Sequence, residues 1–172
     1  MKEENLLIRI RLMTLFFIGA LIVSGATAFP LVSEMEILTS LLGISSDIPA
    51  SEYSGFNHWI ATVNEGIINA NIYHPFLFYG TDWLAFAHII IAIAFVGLYR
   101  KPVTNRWLIY WAMIACVCVI PLAAICGNIR GIPGFWILID CSFGVFGLIP
   151  LMILHKYVQS LKRLANHIDT KY

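Results

Sequence analysis

Four apolar runs dominate the chain, at roughly 12–32, 76–98, 107–126 and 133–154. Each is about 20 residues long, enough to cross a hydrocarbon core of about 30 Å as a helix. Inside lipid every backbone polar group needs a partner, which leaves helices or a closed barrel. The alternation of a barrel strand is absent, so helices are predicted. Between the first two runs, residues 33–75 are too long for a bare connection. Residues 34–43 read as a short helix ending near Gly43, and Ser45-Ser46-Asp47-Ile48-Pro49 reads as a turn. Over 56–71, Phe56, Trp59, Ile60, Val63 and Ile67 recur at helical spacing, with His58, Thr62 and Glu65 on the adjacent polar face. This is an amphipathic cap helix, suited either to packing on the spans or to lying at the membrane interface.

Composition agrees. The chain of 172 residues is 59% hydrophobic and 12% charged, where a soluble domain carries about 25% charged residues. The size fits one membrane domain over 1–172: an all-α, four-transmembrane-helix bundle with a cap over 33–75 and a cytoplasmic tail over 155–172. A net charge of +1 and the lack of a basic stripe argue against nucleic-acid binding. The first run has a rival reading as a signal peptide, because Ala26-Thr27-Ala28 resembles a cleavage site. The run continues through Val32, which favours a retained span.

The basic residues set the expected topology. Ten of the eleven fall in three clusters: Lys2, Arg9 and Arg11; Arg100, Lys101 and Arg106; Lys156, Lys162, Arg163 and Lys171. With four spans, all three clusters fall on one side, the cytoplasm. Between Arg11 and Arg100 there is no Lys or Arg, and the 33–75 connection carries only acids: Glu34, Glu36, Asp47, Glu52 and Glu65. Both termini are therefore expected inside, and 33–75 outside. Arg130 alone lies on the other side.

The candidate chemistry gathers near that exception. Asp82 and Asp140 lie about six or seven residues into their spans, roughly 9–11 Å below the helix starts. A charged side chain in hydrocarbon costs at least about 2.5–3.5 kcal/mol, so each should face the protein interior and find a partner. Arg130 is the one cation on that side, and its long stem can reach down. Two readings follow: a structural clamp of Arg130 with Asp82 or Asp140, or a ligand or proton site formed by Asp82, His88, Asn128, Arg130 and Asp140. The Gly127–Gly134 turn offers Arg130 a third anion, external to the protein, through a nest of backbone N–H groups. His88, about 18 Å deep, is some 120° around the helix from Asp82, so the two are not an i,i+4 metal pair. A hydrogen-bonded core histidine is its ordinary role, and a haem ligand or proton relay its functional one. Met113 is a weak second haem ligand, and a haem shared with another subunit stays open. His58 and Glu65, seven apart on one face, are too distant along the axis to share an ion. No metal site is expected. Cys116, Cys118, Cys126 and Cys141 read as buried thiols, while Gly144, Gly147, Ala112 and Cys116 permit close packing of the last two spans.

Two stretches, Tyr79-Gly80-Thr81-Asp82-Trp83-Leu84-Ala85-Phe86-Ala87-His88 and Gly127 through Gly144 with Asp140-Cys141-Ser142, resemble a group of small bacterial multi-span membrane proteins. The resemblance spans about 74–156. It implies a bacterial inner-membrane location and no particular activity, cofactor or catalytic residue. The expected function is a non-enzymatic binding or accessory protein with a polar pocket in the outer half of the bundle. Its partners would be membrane lipid and other membrane subunits or copies of itself. The alternatives are a haem- or quinone-binding redox protein and a small proton-coupled transporter using Asp82 and Asp140.

Overall fold

A computed structural model describes the backbone of residues 3–169 and the side chains of residues 3–165. Lys2, Lys171 and the end of the expected 155–172 tail lie outside the described residues. The described residues are 87% helical and form six α-helices. These are α1 (Glu3–Ala28), α2 (Leu31–Leu42), α3 (Gly55–Tyr73), α4 (Phe78–Arg100), α5 (Trp107–Ile129) and α6 (Gly134–Asp169). Four segments are long and apolar enough to cross a membrane: Glu3–Ala28, Pro75–Arg100, Trp107–Ile129 and Gly134–Ala165. Only 17–22% of each apolar window is buried inside the protein, so most of this apolar surface is left for lipid to cover. The result is an all-α, multi-pass membrane fold.

The boundaries depart from the apolar runs at several ends. α1 begins at Glu3 rather than near residue 12, and it stops at Ala28, where Phe29-Pro30 turns the chain into α2. Pro30 has no N–H to continue the helix, so the apolar residues Leu31 and Val32 open α2 instead of closing α1. α6 runs without a break from Gly134 to Asp169, through most of the expected 155–172 tail.

The chain divides into two compact units. One holds α1 as far as Gly19 and the chain from Ala92 onward; the other holds Ala20–Ile91. In the first unit the core is built by Leu6, Ile10 and Thr14 of α1, Phe95 and Leu98 of α4, Ile109 of α5, and Leu151, Leu154 and Val158 of α6. Spacings of three and four residues put each set on one helix face. The Thr14 hydroxyl donates to the Ile10 carbonyl at 2.8 Å, which satisfies it in this apolar setting. Basic side chains surround this core. Arg9 lies over the Tyr157 ring at 5.9 Å and Arg11 over Tyr99 at 5.5 Å. Asn105 donates to the Gly97 and Lys101 carbonyls at 2.8 and 3.2 Å, closing the C-terminal end of α4.

α5 and α6 pack along each other through small residues, as their sequence suggests. A Cβ on Gly144 would collide with the Cys116 carbonyl oxygen, and one on Gly147 would sit 2.9 Å from the Cys116 sulfur. The two helices are joined by a tight C-terminal cap on α5. Gly131 takes the left-handed conformation (φ 68°). The Gly131 N–H donates to the Asn128 carbonyl at 3.2 Å and the Ile132 N–H to the Gly127 carbonyl at 2.9 Å. That is the Schellman pattern, and it needs φ > 0 at the residue that glycine supplies.

In the second unit α1 and α4 approach closely where a Cβ on Gly25 would meet the Ala85 carbonyl at 2.8 Å and His88 Cβ at 3.1 Å. α2 packs on α3. It ends at Gly43 (φ 67°), with the buried Ile44 donating back to the Thr39 carbonyl at 2.9 Å. The buried residues of α3 are Ile60, Ala61 and Asn64; of the expected apolar stripe, Ile60 is buried, Trp59, Val63 and Ile67 are half-buried and Phe56 is exposed. The intervening loop is pinned at one residue. The Ala50 N–H donates to Glu65 Oε1 at 2.7 Å, and the Ala50 carbonyl accepts from His58 Nδ1 at 2.7 Å. The seven-residue spacing of His58 and Glu65 thus grips both backbone groups of one residue. The Tyr53 hydroxyl adds a third tie by accepting from the Ser45 N–H at 2.9 Å.

Three outcomes are expected. Gly144→Ala should lower detergent stability by about 1–3 kcal/mol through overpacking. Gly19→Ala, with nothing within 4 Å of the added methyl, should leave the unfolding midpoint unchanged or slightly raised. Glu65→Ala should cost the loop about 1–2 kcal/mol by removing a charge-assisted bond. Limited proteolysis would show that as faster cutting within residues 44–54, with Glu65→Gln close to the parent.

Candidate functional site

The first half of α4 carries aromatic residues at helical spacing around one carboxylate. Tyr79, Asp82, Trp83 and Phe86 follow an i, i+3, i+4, i+7 pattern, which places them on one helix face. With Phe29, from the turn between α1 and α2, they line an open pocket of about 340 Å³. The pocket falls at the small end of the range of about 300–1,000 Å³ typical of ligand sites. Its rings are ordered against each other: Tyr79 to Trp83 and Trp83 to Phe86 each have centroids 6.0 Å apart and planes at 88°. Edge-to-face contact is a favoured geometry for aromatic pairs. The wall is mostly apolar, and its one charged residue, Asp82, is half-buried.

Asp82 has no permanent cation available in its own unit. Residues 20–91 contain no Lys or Arg. The three histidines of that stretch do not line the pocket. His58 is committed to the Ala50 carbonyl, and His74 lies edge-on to Phe76 at 6.0 Å. His88 Nδ1 donates to the Leu84 carbonyl at 2.7 Å. In the neutral ring that bond puts the proton on Nδ1 and leaves Nε2 with its lone pair.

The five expected site residues divide between the two units. Asp82 and His88 belong to the second. The approximate 120° between them persists, and His88 sits against Gly25 rather than in the aromatic pocket. Asn128, Arg130 and Asp140 belong to the first unit. Asn128 is a helical residue of α5 whose side chain donates to the Ala124 carbonyl at 2.6 Å. Arg130 is the exposed C-terminal cap residue of α5. The expected ion pair of Arg130 with Asp140 is not formed, and no ion pair occurs among the described residues. The backbone nest also falls away as an anion site. The N–H groups of Arg130, Gly131 and Ile132 all donate back to α5 carbonyls, because capping a helix end and cradling an external anion compete for the same donors.

Among the described residues no three His, Cys, Asp or Glu side chains gather closely enough to hold a metal ion, and the four cysteines are free thiols. The aromatic partners of Asp82 were present in the sequence as spacing: Tyr79, Trp83 and Phe86 flank it at −3, +1 and +4. Phe29 carries no such signal, because only the turn at Pro30 brings it there.

No family model, curated protein or solved structure matches this chain.

A half-buried carboxylate without a countercharge is an uncompensated cost, of the kind proteins carry at functional sites. Asp82→Asn should accordingly raise the thermal midpoint of the ligand-free protein in detergent, by the equivalent of about 1 kcal/mol. A lower midpoint would show that Asp82 already has a stabilising partner.

Proposed function

We propose that this chain is a multi-pass protein of the bacterial inner membrane, with both termini cytoplasmic. It serves as a non-enzymatic binding or accessory component of a larger membrane assembly, and its ligand site is the pocket at Asp82. The orientation rests on the three Lys/Arg clusters, which the positive-inside rule assigns to the cytoplasm. The membrane location is supported by the four segments long and apolar enough to cross a bilayer. The observation that carries the binding reading is the pairing of a formed aromatic pocket with a carboxylate that lacks a cation in its own unit. A largely apolar cavity with one well-placed polar group is the usual form of a small-molecule site.

The redox reading draws on a different observation, the fixed tautomer of His88. A histidine whose Nδ1–H is held by a backbone carbonyl presents Nε2 as a ligand or proton acceptor. This is the arrangement a haem or a quinone-linked proton would use.

Native mass spectrometry of the protein released from lipid separates the readings, together with its visible spectrum. The binding reading predicts a small-molecule adduct on the parent chain that Asp82→Asn loses, and a featureless visible spectrum. Identical mass spectra of parent and variant would contradict it. A Soret band abolished by His88→Ala would replace it with the redox reading.

A further inference from the structure

The chemistry of the Asp82 pocket names its ligand class, if the binding reading above holds. We infer that the pocket takes an organic ammonium cation, with the charged nitrogen set between the Asp82 carboxylate and the rings of Tyr79, Trp83, Phe86 and Phe29.

Three observations select this class. The first is sign. The single charged lining group is a carboxylate, and its unit carries Glu34, Glu36, Asp47, Glu52 and Glu65 in addition, with no Lys or Arg. An anion would be repelled from the whole surface, and a neutral ligand would leave Asp82 uncompensated. The second is the wall. Four aromatic residues line the cavity, and the electron-rich faces of such rings attract cations, Trp most strongly. An inorganic cation would need several oxygen ligands in place of its water shell, and Asp82 is the one carboxylate here. An alkylated ammonium sheds little hydration and gains apolar contact with the same rings. The third is order. The right-angle contacts of Trp83 with both Tyr79 and Phe86 set the three rings before a ligand arrives, so binding does not have to fix them.

The ammonium group has two sources, the headgroup of a membrane lipid and a free solute. The shared chemistry is the same, and lipid composition distinguishes them.

The test uses the full chain in nanodiscs of phosphatidylglycerol, titrated calorimetrically with choline. The control titrant is its neutral carbon isostere, the dimethylbutanol in which carbon replaces nitrogen. Saturable choline binding is expected, with no saturable binding of the isostere. Asp82→Asn should weaken choline by about tenfold or more, and Trp83→Leu, which keeps apolar bulk, by about fivefold. Unchanged helical circular dichroism of both variants would confirm that they fold. Repeating the titration with phosphatidylethanolamine in the nanodisc assigns the source. A weaker apparent affinity for choline identifies the headgroup ammonium as a competitor for the same pocket, and an unchanged one identifies a free solute; either supports the cation. Equal binding of choline and the isostere would overturn the cation while leaving a ligand pocket in place. No saturable choline binding in either lipid, or full competition by sodium chloride at matched concentration, would overturn the inference as well. The adduct experiment above still decides whether Asp82 holds any ligand at all.

Discussion

A carboxylate held in or near hydrocarbon must find a positive charge, a proton or water, and this constraint organises the site. The chain places every Lys and Arg at residues up to Arg11 or from Arg100 onward. Everything between is acidic or neutral. Asp82 sits inside that stretch, on a helix whose neighbouring positions supply aromatic rings and no charged donor. The result is a pocket with negative charge and π faces but no cation of its own. Insertion scales set the cost of such a group at about 2.5–3.5 kcal/mol at a span centre and less toward the ends, an expense consistent with a functional residue.

The same segregation shapes the rest of the fold. The best-buried core, from Leu6 and Ile10 to Leu154 and Val158, belongs to the unit that holds the basic clusters. There Arg9 and Arg11 lie over tyrosine rings, and Asn105 closes the end of α4. Helix pairs approach where side chains vanish: Gly144 and Gly147 against Cys116, and Gly25 against Ala85. Without a hydrophobic drive between helices in lipid, close contact through small residues is what holds such pairs. Within the second unit, polar chemistry is spent on pinning the Ala50 loop through His58, Glu65 and Tyr53.

Much of this was legible in the sequence, and the misses have physical causes. The four spans, the helix ending at Gly43 and the small-residue contact of α5 with α6 follow from apolar length and glycine placement. The early start of α1 was hidden because Leu6 and Ile10 are buried by packing rather than marked by an unbroken apolar run. Its end was hidden because Pro30 sits inside apolar residues and was counted with them. The glycine-rich 127–134 stretch reads as one shaped turn, yet only Gly131 takes a left-handed conformation and Asn128 stays helical. Counting residues from a helix start gives the depth of Asp140, but not where an exposed arginine side chain goes. His58 and Glu65 were read correctly as sharing a face; what they hold is a peptide group and not an ion, which spacing alone does not reveal. Three of the four aromatic residues around Asp82 were legible as a helical stripe, and the fourth depends on the turn before α2.

The central claim is that the Asp82 pocket accepts a cation from outside the protein. An anomalous-scattering structure of the chain in lipid with tetraethylarsonium, a heavy analogue of an organic ammonium, tests it most directly. The account predicts an arsenic peak inside the pocket lined by Phe29, Tyr79, Asp82, Trp83 and Phe86. A saturated sample with no peak there, or with the Arg130 guanidinium seated on Asp82, would contradict it.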